Sequence, residues 1–175
     1  MTSLRSSHNA LRFAVAGAMA ALVLNGCAAG AKLSRAEASP KELRKAEKST
    51  EKGVASAERQ VERNPQSASL RTELGIAYLG AGRFESATTA LDDAMKLGDN
   101  SPRTALSLAL AKIGAGKGRD AVAILDDWRD SIPASDFGLA LALAGESGRG
   151  VAILADTLRG GDNTAKLRQN LAYAY

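Results

Sequence analysis

Histidine is almost missing from this chain: the single residue, His8, lies close to the N-terminus, in a segment expected to be removed. The remainder therefore lacks the commonest general base and metal ligand, and neither a Ser-His-Asp nor a Cys-His site can be built from it. Cysteine is equally scarce. Cys27 is the only one, which excludes an intramolecular disulfide and a CxxC metal or redox site. Aromatic residues make up 4% of the chain while Ala, Leu and Gly abound, a balance that suits close-packed helices with small side chains at their crossings better than a β-sandwich. A strong charge of one sign is missing too. The formal charge is +4, but setting aside Arg5 and Arg12 in the N-terminal segment reduces the 23 basic residues to 21, against 19 acidic. With both signs mixed along the helices, no phosphate-binding stripe is expected, and nucleic acid is not an expected partner. A length of 175 residues fits one domain or a short array.

What is present begins with a leader. Residues 1–12 carry Arg5 and Arg12 without an acid, and residues 13–24 form an unbroken apolar run. That is the n-region and h-region of a signal peptide, and the run is too short for a permanent span, which needs about 20 apolar residues. It closes in Leu24-Asn25-Gly26-Cys27, which resembles the bacterial lipobox, with Asn25 departing from the usual small or apolar residue. The resemblance implies that the Cys27 thiol becomes a thioether to diacylglycerol and that the new N-terminus is acylated. Ala28, where Asp would retain such a protein in the inner membrane, implies the outer membrane of a Gram-negative cell, with the chain facing the periplasm. At about 0.8 kcal/mol per buried methylene, several acyl chains would hold it there essentially permanently. The competing reading makes Cys27 an incidental residue after an ordinary cleavage site.

A shift of 34 residues superposes Ala77-Tyr-Leu-Gly-Ala-Gly-Arg on Ala111-Lys-Ile-Gly-Ala-Gly-Lys, Ala87 on Ala121, and Leu91-Asp92-Asp93 on Leu125-Asp126-Asp127. Ungapped agreement at such a period signals a helix-turn-helix solenoid. Leu74-Gly75-x-x-Tyr78 followed by Ala87-x-x-x-Leu91 and Ala94, after Asn64-Pro65, resembles a tetratricopeptide repeat. Arg71 stands for the usual Trp, Leu91 for Phe and Asp99 for the closing Pro. Gly75 and Ala87 are expected where paired helices cross most closely, with Tyr78 and Leu91 filling wider gaps. Glycine clusters at 80–82, 114–118 and 145–148 mark the turns. The expected fold is thus all-α: a leader over 1–26, a lipidated tether over 27–39, degenerate capping helices over 40–67 and a tetratricopeptide array over 68–175. Within the array, helix pairs are expected at 68–98, 103–130 and 136–159. The last is shifted by 29 residues, as if the linking loop had contracted. Lys166 to Tyr175 opens a fifth unit, with Leu171 and Tyr175 matching Leu74 and Tyr78. Either the chain continues beyond 175 or a partner covers the exposed face; continuation is the favoured reading.

No catalytic constellation emerges, so the expectation is a protein that is not an enzyme and takes no cofactor or metal. Asp92-Asp93 and Asp126-Asp127 recur at the repeat period, as a solvated helix face would. Gly114-Ala-Gly-Lys-Gly118 hints at a phosphate loop, but Gly118 stands where Ser or Thr would hold magnesium, and no strand precedes it. Trp128 aligns with Ala94 and reads as core filling. The first helices of tetratricopeptide arrays line a concave face, and the matched positions here are Thr72, Ile76 and Leu79, then Leu106, Leu110 and Ile113. Two roles are open to them: taking an apolar strip or amphipathic helix of a partner, or packing between neighbouring repeats. On the first, Leu110→Asp should abolish partner binding while helical content is kept.

Lipobox, tetratricopeptide array and the run Arg168-Gln-Asn-Leu-Ala-Tyr-Ala together resemble the TadD-type lipoproteins of tight-adherence (Flp) pilus systems, over about 68–175. The resemblance implies a membrane-anchored scaffold that assists assembly of pilus or secretion machinery at the outer membrane, with protein partners such as a secretin. Two other readings stay open: an adaptor for cell-wall hydrolases or outer-membrane protein assembly, and the regulatory part of a longer enzyme.

Overall fold

A computed structural model describes residues 39–175. The leader, Cys27 and the tether up to residue 38 lie outside the described residues. Among those described, all regular structure is helical, in eight α-helices, in keeping with a helical-repeat architecture. The chain divides into two compact units, the first closing at Leu97 and the second spanning Gly98–Tyr175.

The first unit holds α1 (Pro40–Arg63), α2 (Ala68–Gly80) and α3 (Phe84–Lys96). A capping box opens α1. The Ser39 hydroxyl accepts the Glu42 amide, the Glu42 carboxylate accepts the Ser39 amide at 2.8 Å, and Pro40 supplies the first helical residue. Bonds from the Ser39 side chain and backbone hold the Glu42 carboxyl below its ordinary pKa. Where two capping helices were expected over 40–67, there is one helix of 24 residues. The reason is local: Gly53 is the only helix breaker before Asn64-Pro65, and one exposed glycine costs about 1 kcal/mol without stopping a helix. Only the second half of α1 packs. Val54 and Ala57 are buried, and Ala57 with half-buried Val61 meets Leu74, Ala77, Tyr78 and Ala90.

The α2–α3 hairpin turns on Gly82, whose φ of 72° would strain any residue carrying a Cβ. There the Arg83 amide donates to the Tyr78 carbonyl at 2.9 Å, a Schellman closure. Ser67 caps α2 through the Leu70 amide. A Cβ built on Gly75 would lie 2.5 Å from Leu91 Cγ, so this glycine is where the two helices come closest, as its place in the repeat implied.

In the second unit, α4 (Pro102–Gly114) packs on α5 (Gly118–Asp127) and α6 (Ala134–Leu143) on α7 (Ser147–Arg159). Helix α6 also touches α4 and α5, and α8 (Ala165–Ala174) lies on both α6 and α7. The same turn recurs twice: Lys117 donates to the Lys112 carbonyl at 2.8 Å past Gly116, and Glu146 to that of Leu141 at 2.9 Å past Gly145. Crossing residues recur with it. Gly75, Ala87 and Leu91 correspond to Ala109, Ala121 and Leu125, then to Gly138, Gly150 and Leu154, and all nine are buried. At the last crossing a Cβ on Gly150 would sit 2.5 Å from the Gly138 carbonyl oxygen.

The 29-residue spacing has a different origin from a contracted loop. The links over 97–101 and 128–133 are of similar length, whereas α5 and α6 have 10 residues each against 13 in α3 and α4. One turn is lost from the end of α5 and one from the start of α6. Pro133 accounts for the second loss, since the residue before a proline is driven out of helical conformation. Trp128 consequently sits past the end of α5 as its C-cap, half-buried, and not on a helix face equivalent to that of fully buried Ala94.

Candidate functional site

The lipidation candidate Cys27 lies outside the described residues, and the six groove candidates divide by burial. Thr72 and Leu79 on α2 and Leu110 on α4 are buried at 3%, 1% and 0% exposure. A partner can reach none of them without disturbing the fold, which leaves them a packing role. Ile76 on α2, and Leu106 and Ile113 on α4, are half-buried and present apolar surface within their own units. These three remain as contact candidates. No described helix is long and apolar enough to cross a membrane.

The other candidate motifs resolve into structure. In Gly114–Gly118 the amides of Gly116 and Lys117 donate to the carbonyls of Ile113 and Lys112, so they close α4 and are not directed at a phosphate. Helix α4, not a strand, precedes the loop. The recurring aspartates are engaged to a degree their spacing did not suggest. Asp93 Oδ2 receives Arg71 Nη1 at 3.0 Å, and Asp126 Oδ1 receives Arg149 Nη2 at 2.6 Å, a bond that raises the Arg149 pKa further above its ordinary value. Among the described residues no group of three or more His, Cys, Asp or Glu side chains is placed to hold a metal ion.

Sequence reasoning missed these ion pairs, although a signal for one was available. Arg71 and Asp93 are equidistant from Gly82, and residues equidistant from the turn of an antiparallel hairpin face each other. Arg71 also donates through Nε to the Pro65 carbonyl at 3.1 Å, tying the α1–α2 link to the hairpin. Tyr78 extends that connection. Its hydroxyl donates to Glu58 Oε1 on α1 at 2.8 Å, with the Arg83 guanidinium 5.9 Å from its ring centre. Desolvation first, then the bond to Glu58, raises its pKa above the ordinary 10.0.

The run at 168–172 is held by specific contacts. Asn170 is buried and donates Nδ2 to the Ser135 carbonyl at 2.9 Å, while Arg168 Nη1 holds the Asn163 side chain at 2.6 Å in the loop before α8. Two residues upstream of the run, Lys166 Nζ lies 2.8 Å from Asp136 Oδ1 and 3.0 Å from Oδ2. Only the Oδ2 contact has hydrogen-bond geometry, so Oδ1 is satisfied by charge alone. The Asn170 and Lys166 contacts join α8 to α6, and Leu167 and Ala174 bury beside Leu154 of α7.

Comparison of the chain with protein-family models, with curated proteins and with solved structures finds no match.

Proposed function

We propose that this chain is an exported lipoprotein, held at the outer membrane through acyl chains on Cys27, whose tetratricopeptide-type helix pairs serve as a scaffold for other proteins. Its narrower role in this reading is to assist assembly of tight-adherence (Flp) pilus or secretion machinery. The observation that carries the scaffold reading is the recurrence of one hairpin design. Three helix pairs share the glycine-closed turn and the small–small–Leu crossing, while side chains such as Ile76, Leu106 and Ile113 stay half-exposed on the first helices. Repeats of this kind fix a backbone and vary their surface, and surface variation is how one fold serves many partners. The pilus assignment rests on the joint resemblance of lipobox, array and the run at 168–172.

The test is intact mass and membrane fractionation of the wild type and Cys27→Ser in a Gram-negative host, with crosslinking before purification. The expected result is an acyl mass increment on the wild type alone, sedimentation with the outer membrane, and crosslinks to pilus secretion components. A soluble, unmodified wild type overturns the anchor. Crosslinks confined to cell-wall hydrolases overturn the pilus role.

A further inference from the structure

Helix α1 segregates its charges around its axis in a way the near balance of the whole chain conceals. At 100° per residue, Lys41, Lys45, Lys48, Lys52, Arg59 and Arg63 fall within a sector of about 60°, and Val54, Ala57 and Val61, which face α2, fall on the opposite side. All six are exposed, and Arg44, the seventh basic residue of the helix, projects about 40° to one side of the stripe. None makes a side-chain ion pair or hydrogen bond with a described residue. The acids of α1 are placed elsewhere: Glu42 is used in the capping box, Glu51 pairs with Arg83 and Glu58 accepts the Tyr78 hydroxyl. Glu47 and Glu62 project off the stripe. Residues 40–49 and 51–53 are exposed all round, so the first half of the helix stands clear of α2.

We infer that this stripe lies along an anionic phospholipid surface and sets the orientation of the first unit on the membrane. A straight row of cations on a helix of 24 residues, about 36 Å long, complements a flat, uniformly negative plane. It suits nucleic acid less well, because no aromatic side chain is interleaved with the cations to stack on bases. Nor does the stripe insert: Leu43, the exposed large apolar residue of α1, projects from the α2-facing side. The choice of a membrane rests on the proposed anchor. Eleven residues lie between Cys27 and Ser39, twelve steps of chain that reach at most about 43 Å even if fully extended, so an acylated Cys27 keeps α1 beside the bilayer.

The experiment uses the mature chain from residue 27 with Cys27→Ser, which retains every described residue and has no acyl chain, so stripe and anchor are read separately. Sedimentation is measured with vesicles of phosphatidylcholine and of phosphatidylcholine mixed with phosphatidylglycerol. Binding is expected to the anionic vesicles only, and to fall as salt is raised. Replacing Lys41, Lys45, Lys48 and Lys52 with Gln should weaken it on the order of 100-fold or more, since each basic residue near such a surface contributes roughly fivefold. Gln keeps nearly the helix propensity of Lys, and circular dichroism checks that the fold is unchanged. A charge-matched control, Lys96, Arg119, Arg129 and Arg159 to Gln, should lose far less.

Equal loss in both variants reduces the effect to net charge and overturns the stripe. Absence of binding to anionic vesicles overturns it as well, even if the wild type carries acyl chains in cells. Binding to a short duplex DNA in place of vesicles assigns the stripe to nucleic acid, with the same result. Stripe-dependent vesicle binding by a protein whose wild type is never acylated supports the stripe and removes the anchor.

Discussion

Glycine does different work at different positions of this chain, and the surroundings of each decide what a methyl group would do. Replacing a helical glycine with alanine gains about 1 kcal/mol in propensity where space allows. At Gly75 the new Cβ meets Leu91 Cγ at 2.5 Å, the branch point of a fully buried side chain, so a side chain has to shift within the core but no backbone atom stands in the way. At Gly150 it meets the backbone carbonyl of Gly138 at 2.5 Å and Ala142 at 2.9 Å, and neither can yield without moving a helix. Overpacking of that kind costs about 1–3 kcal/mol. Gly150→Ala is therefore expected to lower the urea midpoint of the helical signal, and Gly75→Ala to lower it less. Equal midpoints for the two variants would show that the α6–α7 crossing has slack that the structure does not contain.

At the scale of elements, α8 is held by a mixed contact in which charge has a large share. Asp136 is nearly buried, and Lys166 is its cation. Lys166→Met leaves that carboxylate without a counter-charge, and a fully buried pair broken in this way costs 3–5 kcal/mol; with Lys166 partly exposed, about 2 kcal/mol is expected. Adding Asp136→Asn should recover much of the loss, because the buried charge is then gone. A double-mutant cycle on thermal unfolding measures the coupling, and a coupling near zero would mean that α8 docks through Leu167, Asn170 and Ala174 alone. Much at this scale was legible in the sequence. The period of 34 located the first two hairpins and their turns and, at Gly75 and Ala87, the residues of the first crossing, because turns and close approaches restrict residue type severely. What stayed hidden was tertiary or conditional. Nothing local marks Lys166 as the partner of a residue 30 positions away, and the length of α1 depended on whether a lone Gly53 would break it. The lost turns of α5 and α6 looked like a loop change because a period registers only the total. Burial of Thr72, Leu79 and Leu110 was likewise outside what periodicity shows, since it marks a face without saying how deeply that face is covered.

For the whole molecule the consequence concerns how partner binding can be separated from folding. Leu110 carries the apolar pattern that first suggested a contact, but at 0% exposure an aspartate there would be a buried, unpaired charge, so Leu110→Asp reports on stability and says nothing of a partner. Ile113, one turn further on, and Ile76 in the other unit are half-buried. A carboxylate at either can reach water while spoiling an apolar contact. On the scaffold reading, Ile113→Glu should keep the wild-type circular dichroism spectrum and lose crosslinks to the pilus components that the wild type captures, whereas Leu110→Asp should lose helical signal first. Ile76→Glu applies the same test within the first unit. If both Glu variants capture those components as the wild type does, the apolar faces of the first helices do not carry the interaction. Binding would then have to be sought on the charged faces, where α1 with its basic stripe offers the most concentrated surface among the described residues.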